Sequence, residues 1–361
     1  VRLFGAAFLM PLTVPVANAQ EQTLTLTRPT KLVPFKDYRI TEVKVSPGKA
    51  VKSGFASLIG LHDQIPANKP ILAGFRNGLL NSVKNYVAYY DPLEETPLNL
   101  IMFIDSLDVK ETSSSQDVVR GAVRVYVSFS RLIHKDTLKL CSYRGAVNYS
   151  RSWSQSQVPT QQLQNTFDRA MQFLESWMQR NEESSLKLAR SVICRVNQFR
   201  PGHDWPDTIY YSIRPRLKWD DFTSKVPSAS YVAELFPTLA YTLHTEVHKG
   251  RIELSILLKA SLAKDAMWVQ RGGADAYALN HEQRHFDLLQ IAAYDFRKVL
   301  LKYKFPLINY EGDLSVLYLD AWRHMTNIED AYDRETKHGI LSGEQERWNQ
   351  KIDDALKTEI W

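Results

Sequence analysis

Cysteine is nearly absent: only Cys141 and Cys194 occur in 361 residues. Two thiols cannot build a cysteine-rich zinc site, so any metal here must be held by histidine and carboxylate. In an exported chain they could form one disulfide, but Cys194 also fits a buried free thiol in the apolar pattern of Ser184 to Val196, which is helical in spacing. No block of lysine or arginine runs along the chain, and the formal net charge is only +5. That excludes a nucleic-acid binder of the basic-stripe kind. No later apolar run reaches the length of a membrane span. Internal repeats and low-complexity tracts are also missing.

What is present begins with a leader. "VRLFGAAFLMPLTVPVANAQ" has Arg2, an apolar stretch from Phe4 to Val16, and the small-x-small step Ala17-Asn18-Ala19 before Gln20. This is the pattern of a signal peptide over residues 1–19, too short and too proline-broken to span a bilayer. The expected product is exported, periplasmic or extracellular, with no stable membrane insertion after cleavage.

After an irregular segment, 20–36, the expectation is an α+β protein in two domains, residues 37–200 and 201–361. In the first, "YRITEVKVS" alternates as a strand does. "ILAGFRNGLLNSVKNYVAYY" places Ile71, Leu72, Phe75, Leu79, Leu80 and Val83 on a helical stripe. Three strand-like runs follow: "LNLIMFIDSLDV", "VVRGAVRVYVSFSRL" and "LKLCSYRGAVNYSRSW". A helix over Gln161 to Arg180 then carries Leu163, Phe167, Met171, Leu174 and Met178. The expected result is a sandwich-like α/β domain without a recognisable catalytic motif; His62 and His134 stand alone. "RPGHDWPD" reads as the boundary loop.

The second domain opens with "RPRLKWDDF". "LAYTLHTEV" and "RIELSILLKASL" flank His248-Lys249-Gly250, which reads as a hairpin, and "MWVQRGGADA" closes the sheet region. His244 and His248 fall on the solvated face of a strand. Asp275 is an N-cap for a helix running to about Tyr303. On it, "HEQRH" puts His281 and His285 about 40° apart around the axis, on a stripe continued by Leu288, Ala292, Phe296 and Val299. Two neutral imidazoles one turn apart can face one ion, and Glu282 between them can reach a water without ligating. A catalytic zinc needs a third protein ligand. Asp287 lies about 160° around the helix from His285 and faces elsewhere. Leu288 and Ile291 stand where the extended metzincin pattern needs glycine and histidine, which excludes that pattern. Downstream, Leu314, Leu317, Trp322, Met325, Ile328 and Tyr332 make another helical stripe. Gly339 is its stop, and Ser342 with Gln345 a capping box for a last helix. His338, at the helix end, is a candidate third ligand. Asp333 and Glu335 are carboxylate rivals, and His324 a weaker one. Tyr332 is a candidate donor to a developing oxyanion, its other reading being a core tyrosine of the stripe.

From about Trp219 onward, "LNHEQRHFD", "YDRETKHG" and "QERW", with "LKWDDF" and "MWV", resemble the bacterial domain of unknown function 922 family, described as secreted zinc-dependent proteases. The resemblance implies a zincin-like metallopeptidase domain, an antiparallel hairpin sheet packed on helices. It implies Zn2+ held by His281 and His285, Glu282 as general base, and it favours His338 as third ligand. The activity implied is hydrolysis of a peptide or protein by zinc-activated water. The rival expectation is an envelope binding or assembly module with a structural metal, which would have no need of Glu282.

Overall fold

The computed structural model describes residues 23–29, 32–47, 55–59, 70–75, 77–92, 97–113, 117–155, 159–203, 205–227 and 231–359. The leader and His62 lie outside these residues. The chain divides into two compact units, Val1–Arg180 and Asn181–Trp361.

The first unit is a seven-stranded mixed sheet with two helices. Its strands are β1 (Thr23–Leu24), β2 (Tyr38–Val45), β3 (Phe55–Ile59), β4 (Pro70–Phe75), β5 (Leu98–Ser113), β6 (Val118–Ile133) and β7 (Asp136–Ser152). Helix α1 (Leu79–Val87) precedes β5, and α2 (Thr160–Asn181) follows β7. The order is β1-β4-β3-β5-β6-β7, with β2 parallel to β5. The antiparallel meander β5–β6–β7 dominates, and alternation explains it: Val119, Val123, Val125, Val127 and Phe129 of β6 are all buried. Helix α2 buries Leu163, Phe167, Ala170, Met171, Leu174 and Met178, the stripe its spacing predicts.

Two expectations for this unit change. Pro70–Phe75 is strand β4 paired with β3, so the predicted stripe from Ile71 breaks, and the helix begins only after Gly78, whose φ of 74° suits glycine. Thr23–Leu24, in the segment expected to be irregular, pairs with β4.

The second unit carries β8 (Ser191–Gln198), β9 (Thr208–Tyr210), β10 (Ala233–Glu234), β11 (Thr238–His248), β12 (Arg251–Ala263) and β13 (Trp268–Val269). Three helices close it: α3 (Ala276–Lys302), α4 (Tyr310–Thr336) and α5 (Ser342–Thr358). The main sheet is mixed. Strand β12 lies between β11, antiparallel, and β8, parallel, while β9 pairs with its far end. The β11–β12 turn is Lys249-Gly250 with φ of 49° and 69°, the two left-handed residues of a hairpin turn. Strand β8 is where a helix was expected from the spacing of Ser184 to Val196; Val192, Ile193 and Cys194 are β-formers half-buried against β12. That pairing draws residues 181–200 into the second unit, so the division falls at Arg180, twenty residues before the "RPGHDWPD" loop. Cys141 and Cys194 are not joined in a disulfide, and burial pushes the Cys194 thiol up to about 11.

Helix α3 lies between two layers. Phe286, Leu289, Ala293, Phe296 and Leu300 pack in the sheet-side core with Leu254, Ile256 and Leu258 of β12. Leu288 and Ile291 pack with Ile328 and Tyr332 of α4 and Trp348 and Ile352 of α5. Burial on both faces explains why its polar residues from His281 to Gln290 are buried, apart from the half-buried His285. The single stripe expected for α3 therefore splits: Phe296 turns to the sheet and Val299 is exposed. On α4, Trp322 is exposed rather than part of the buried face.

Among the described residues, no helix is long and apolar enough to cross a membrane. Leu254, fully buried at the centre of the sheet, fixes an expected outcome. Leu254→Ala destabilises the second unit by about 2–5 kcal/mol, read by denaturant unfolding.

Candidate metal centre

The N-terminal end of α3 is pinned before the site is formed. Asp275 caps it, accepting the Ala278 N–H at 2.7 Å. The Trp219 indole donates to the Asp275 carbonyl at 3.1 Å. Gln283 accepts from the Leu217 N–H at 2.9 Å and donates to the Pro215 carbonyl at 2.8 Å. Arg214 makes a two-point pair with Asp221, at 2.8 and 2.9 Å, which holds that loop together. The "LKWDDF" segment thus fastens the helix that presents the histidines.

His281 and His285 turn toward α4. Their Nε2 atoms lie 3.3 and 3.1 Å from the same oxygen of Asp333, Oδ1. One atom from each of these residues falls within a 4.8 Å cluster. For zinc–nitrogen and zinc–oxygen bonds of about 2.0–2.1 Å, tetrahedral neighbours stand about 3.4 Å apart. The two nitrogen–oxygen separations lie near that spacing and are also hydrogen-bond distances, so these three residues could hold a metal ion.

Each imidazole is oriented from behind. His281 Nδ1 donates to Gln345 Oε1 at 3.0 Å, which fixes the tautomer that leaves Nε2 as the donor atom for an ion. Gln345 Nε2 donates to the Tyr332 hydroxyl at 2.7 Å and to Asn349 Oδ1 at 3.0 Å. His285 Nδ1 faces Glu329 Oε1 at 3.6 Å, an ion-pair distance, and that buried oxygen has no hydrogen-bond partner. Gln345 therefore does not form the expected capping box with Ser342. The N-cap of α5 is Leu341 with no side-chain cap, and Gln345, almost fully buried, is committed to His281.

Tyr332 is fully buried and its ring stacks on that of His281, centroids 4.8 Å apart and 22° from parallel. Its hydroxyl donates to the His281 carbonyl at 3.3 Å, within the hydrogen-bonded interior of the site. His338 is half exposed. Its Nδ1 lies 3.4 Å from the second oxygen of Asp333, Oδ2, outside the three-residue cluster. It sits on a turn with Lys337, His338 and Gly339 all at positive φ, 50°, 52° and 80°. Two non-glycine residues there are a local strain of the kind found at functional sites. The turn is held by the Tyr277 hydroxyl on the Gly339 carbonyl, 2.7 Å, and a Cβ at Gly339 would come within 3.2 Å of His281 Nδ1. Glu335 accepts from the Trp348 indole, His324 faces Asp295, and Asp287 accepts from Tyr211 and Gln283, all away from the cluster.

Glu282 is nearly fully buried beside the histidines. Burial pushes its carboxyl above the usual range; His285 and His281 oppose that, while Asp333 and Glu234 of β10 reinforce it. Burial also disfavours the charge of Asp333, but hydrogen bonds and charge from His281 and His285 win, holding it well below the usual carboxylate range. For His285, burial opposes the cation, yet Asp333 and Glu329 outweigh it and hold the ring protonated well above the usual histidine range.

Glu329 and Asp333 are one turn apart on α4, facing a pair one turn apart on α3. That spacing, Glu-x-x-x-Asp, was the signal in the chain for Glu329; Gln345 was masked by its resemblance to a cap.

Two outcomes follow. In zinc competition with a chromogenic chelator, Asp333→Ala weakens binding more than about 100-fold and Glu329→Gln about 10-fold, with His338→Ala the mildest of the three. A greater loss for His338→Ala than for Asp333→Ala would make His338 the ligand. Second, the His285 proton is present in the metal-free fold below its raised pKa and leaves only as pH rises through it. Zinc binding at pH 7 must therefore displace it, releasing about one proton, and affinity climbs with pH. Calorimetry in buffers of different ionisation heat measures the release; equal heats in all buffers would contradict it.

No family model matches the chain, and no curated protein matches it. The likeness to the domain of unknown function 922 family therefore rests on the residues quoted above. Among solved structures, protein XCC0632 from Xanthomonas campestris, of the DUF330 family, is similar over 44% of this chain and 91% of its own, with 9% identity and a TM-score of 0.24. At that score the similarity bears on neither fold nor activity.

Proposed function

We propose that the second unit is a zinc-dependent hydrolase of peptide bonds, zincin-like in its metal helix, working in an exported protein. The observation that carries the reading is the convergence of His281, His285 and Asp333 from two helices, with the buried carboxyl of Glu282 beside them. His281 and His285 are the imidazole ligands and Asp333 is the third, with His338 bracing Asp333 through its other oxygen. Bound zinc would act as a Lewis acid, acidifying a water and polarising a carbonyl.

The chain's own residues supply the rest. Glu282 is the general base. Its raised pKa brings a carboxylate closer to neutral pH, where it can take a proton and hand it to a leaving amine. Gln345 and Glu329 fix the two rings so that the Nε2 lone pairs point to one place. Tyr332 serves as the platform under His281; with its hydroxyl tied to the His281 carbonyl and Gln345, this fits better than donation to an oxyanion. Asp333 marks the open side, since its carboxylate is more exposed than either imidazole.

Glu282→Gln separates this reading from a structural metal site in a binding module. The expected result is zinc retained at one ion per chain, with hydrolysis of a mixed peptide pool lowered by about 10²–10⁴-fold. Unchanged turnover, or a wild-type chain that holds zinc and cleaves nothing, would leave the binding-module reading standing.

A further inference from the structure

Helix α3 has a second polar face. Gln290 and Arg297, two turns apart, share one stripe with Ala293 and Tyr294. At 100° per residue, Gln290 stands about 140° around the axis from His285 and about 180° from His281. The stripe is therefore turned away from the metal ligands, toward the end of β8. Between α3, β8 and the end of α5 lies a cleft of about 460 Å³, the size of a small-molecule site. Its floor is Leu258 of β12 with Ala293 and Gln290, all nearly fully buried. Gln290 is only 1% exposed, and its Oε1 accepts from Gln198 Nε2 at 2.6 Å. Burying a polar pair costs free energy that an apolar pair would not. Here it sets two carboxamides in the wall of a cleft.

The mouth of the cleft is cationic. Arg200 and Arg297 line it from two different segments and are both exposed, and Glu359 is the one carboxylate lining it among the described residues. The chain is fixed just before Arg200: Phe199 donates its N–H to the Leu258 carbonyl at 2.7 Å, and its own carbonyl accepts from the Ser212 hydroxyl at 2.6 Å. Arg297 Nη1 lies 4.0 Å from Glu359 Oε2, with both side chains about half exposed. A pair that long and that well solvated holds a guanidinium weakly, so an incoming anion competes well for it. A guanidinium offers a planar fork of donors that matches the oxygens of a carboxylate or a phosphate.

We propose that this cleft binds a small organic anion, with its carboxylate or phosphate head against Arg200 and Arg297 and an oxygen-bearing body reaching Gln290. The site is separate from the metal centre and does not depend on the hydrolase reading.

Isothermal titration of the full chain tests it, with succinate and glycerol 3-phosphate as probes at constant ionic strength in chloride. The expected result is saturable binding of one probe per chain. Tighter succinate assigns a carboxylate ligand, and tighter glycerol 3-phosphate a phosphorylated one. Arg200→Gln and Arg297→Gln should each weaken the bound probe at least about 10-fold. Both side chains are exposed, so the unfolding temperature of these variants stays unchanged. Gln290→Leu, which removes the amide from the floor, should weaken the probe by about 3–10-fold. Heats that do not saturate with either probe, or binding that survives both arginine substitutions, overturn the inference. Binding indifferent to Gln290→Leu places the probe on the outer surface alone and overturns it as well. None of these results bears on hydrolysis, which Glu282→Gln tests separately.

Discussion

The second unit depends on charge buried between two helices. Helices α3 and α4 pack through an apolar layer, yet at one end they enclose two imidazoles and three carboxylates, those of Glu282, Glu329 and Asp333. Taking such groups out of water costs several kcal/mol each unless they are paired. The pairing here is dense: one Asp333 oxygen serves both histidines, Glu329 backs His285, and Gln345 backs His281. Removing one member leaves its neighbours buried and uncompensated, so the arrangement is held as a unit. The same density makes it a poor device for stability alone, since an apolar interface of equal volume would serve better.

The rest of the unit is arranged to keep that end of α3 still. The sheet supports its far face through Phe286, Leu289 and Phe296. The loop from Arg214 to Asp221 holds Gln283 and the N-cap, and Arg284 joins Asp287, Asn349 and Asp353 so that α5 cannot slide along α3. These contacts explain why a helix with so many buried polar residues is stable: nearly every one has a partner on a different element. "LKWDDF" fastens the start of α3, and "QERW" supplies Gln345 and Trp348 to the face that α3 turns away from the sheet.

Local pattern made much of this legible. The alternation of β5, β6 and β7, the stripe of α2, the Asp275 cap and the hairpin at Lys249-Gly250 are all local consequences of residue type and period. What failed was local in appearance and tertiary in cause. Ser184 to Val196 reads as helical in spacing, but residues 191–198 become a strand because β12 offers an edge. Gln345 has the position of a capping residue but is drawn inward by the unpaired Nδ1 of His281. Val299 continues a stripe that the helix cannot bury, because its two faces meet different layers. In each case a preference worth a fraction of a kcal/mol yields to contacts made with a distant part of the chain.

The position of Asp333 beside both histidines could not be read from spacing along one helix. His338 has the chemistry of a ligand and lies near the end of α4, but the helix has ended before it. The left-handed turn carries its ring out to Tyr231 rather than in beside His281. Asp333 is still helical, one turn after Glu329, and two such pairs on helices running in opposite directions interlock. His281 meets Asp333, and His285, a turn further along α3, meets both Asp333 and Glu329. A short carboxylate suffices at that place because the backbone of α4 already lies close. His338, on the turn beyond, instead meets the second oxygen of Asp333 and the ring of Tyr231.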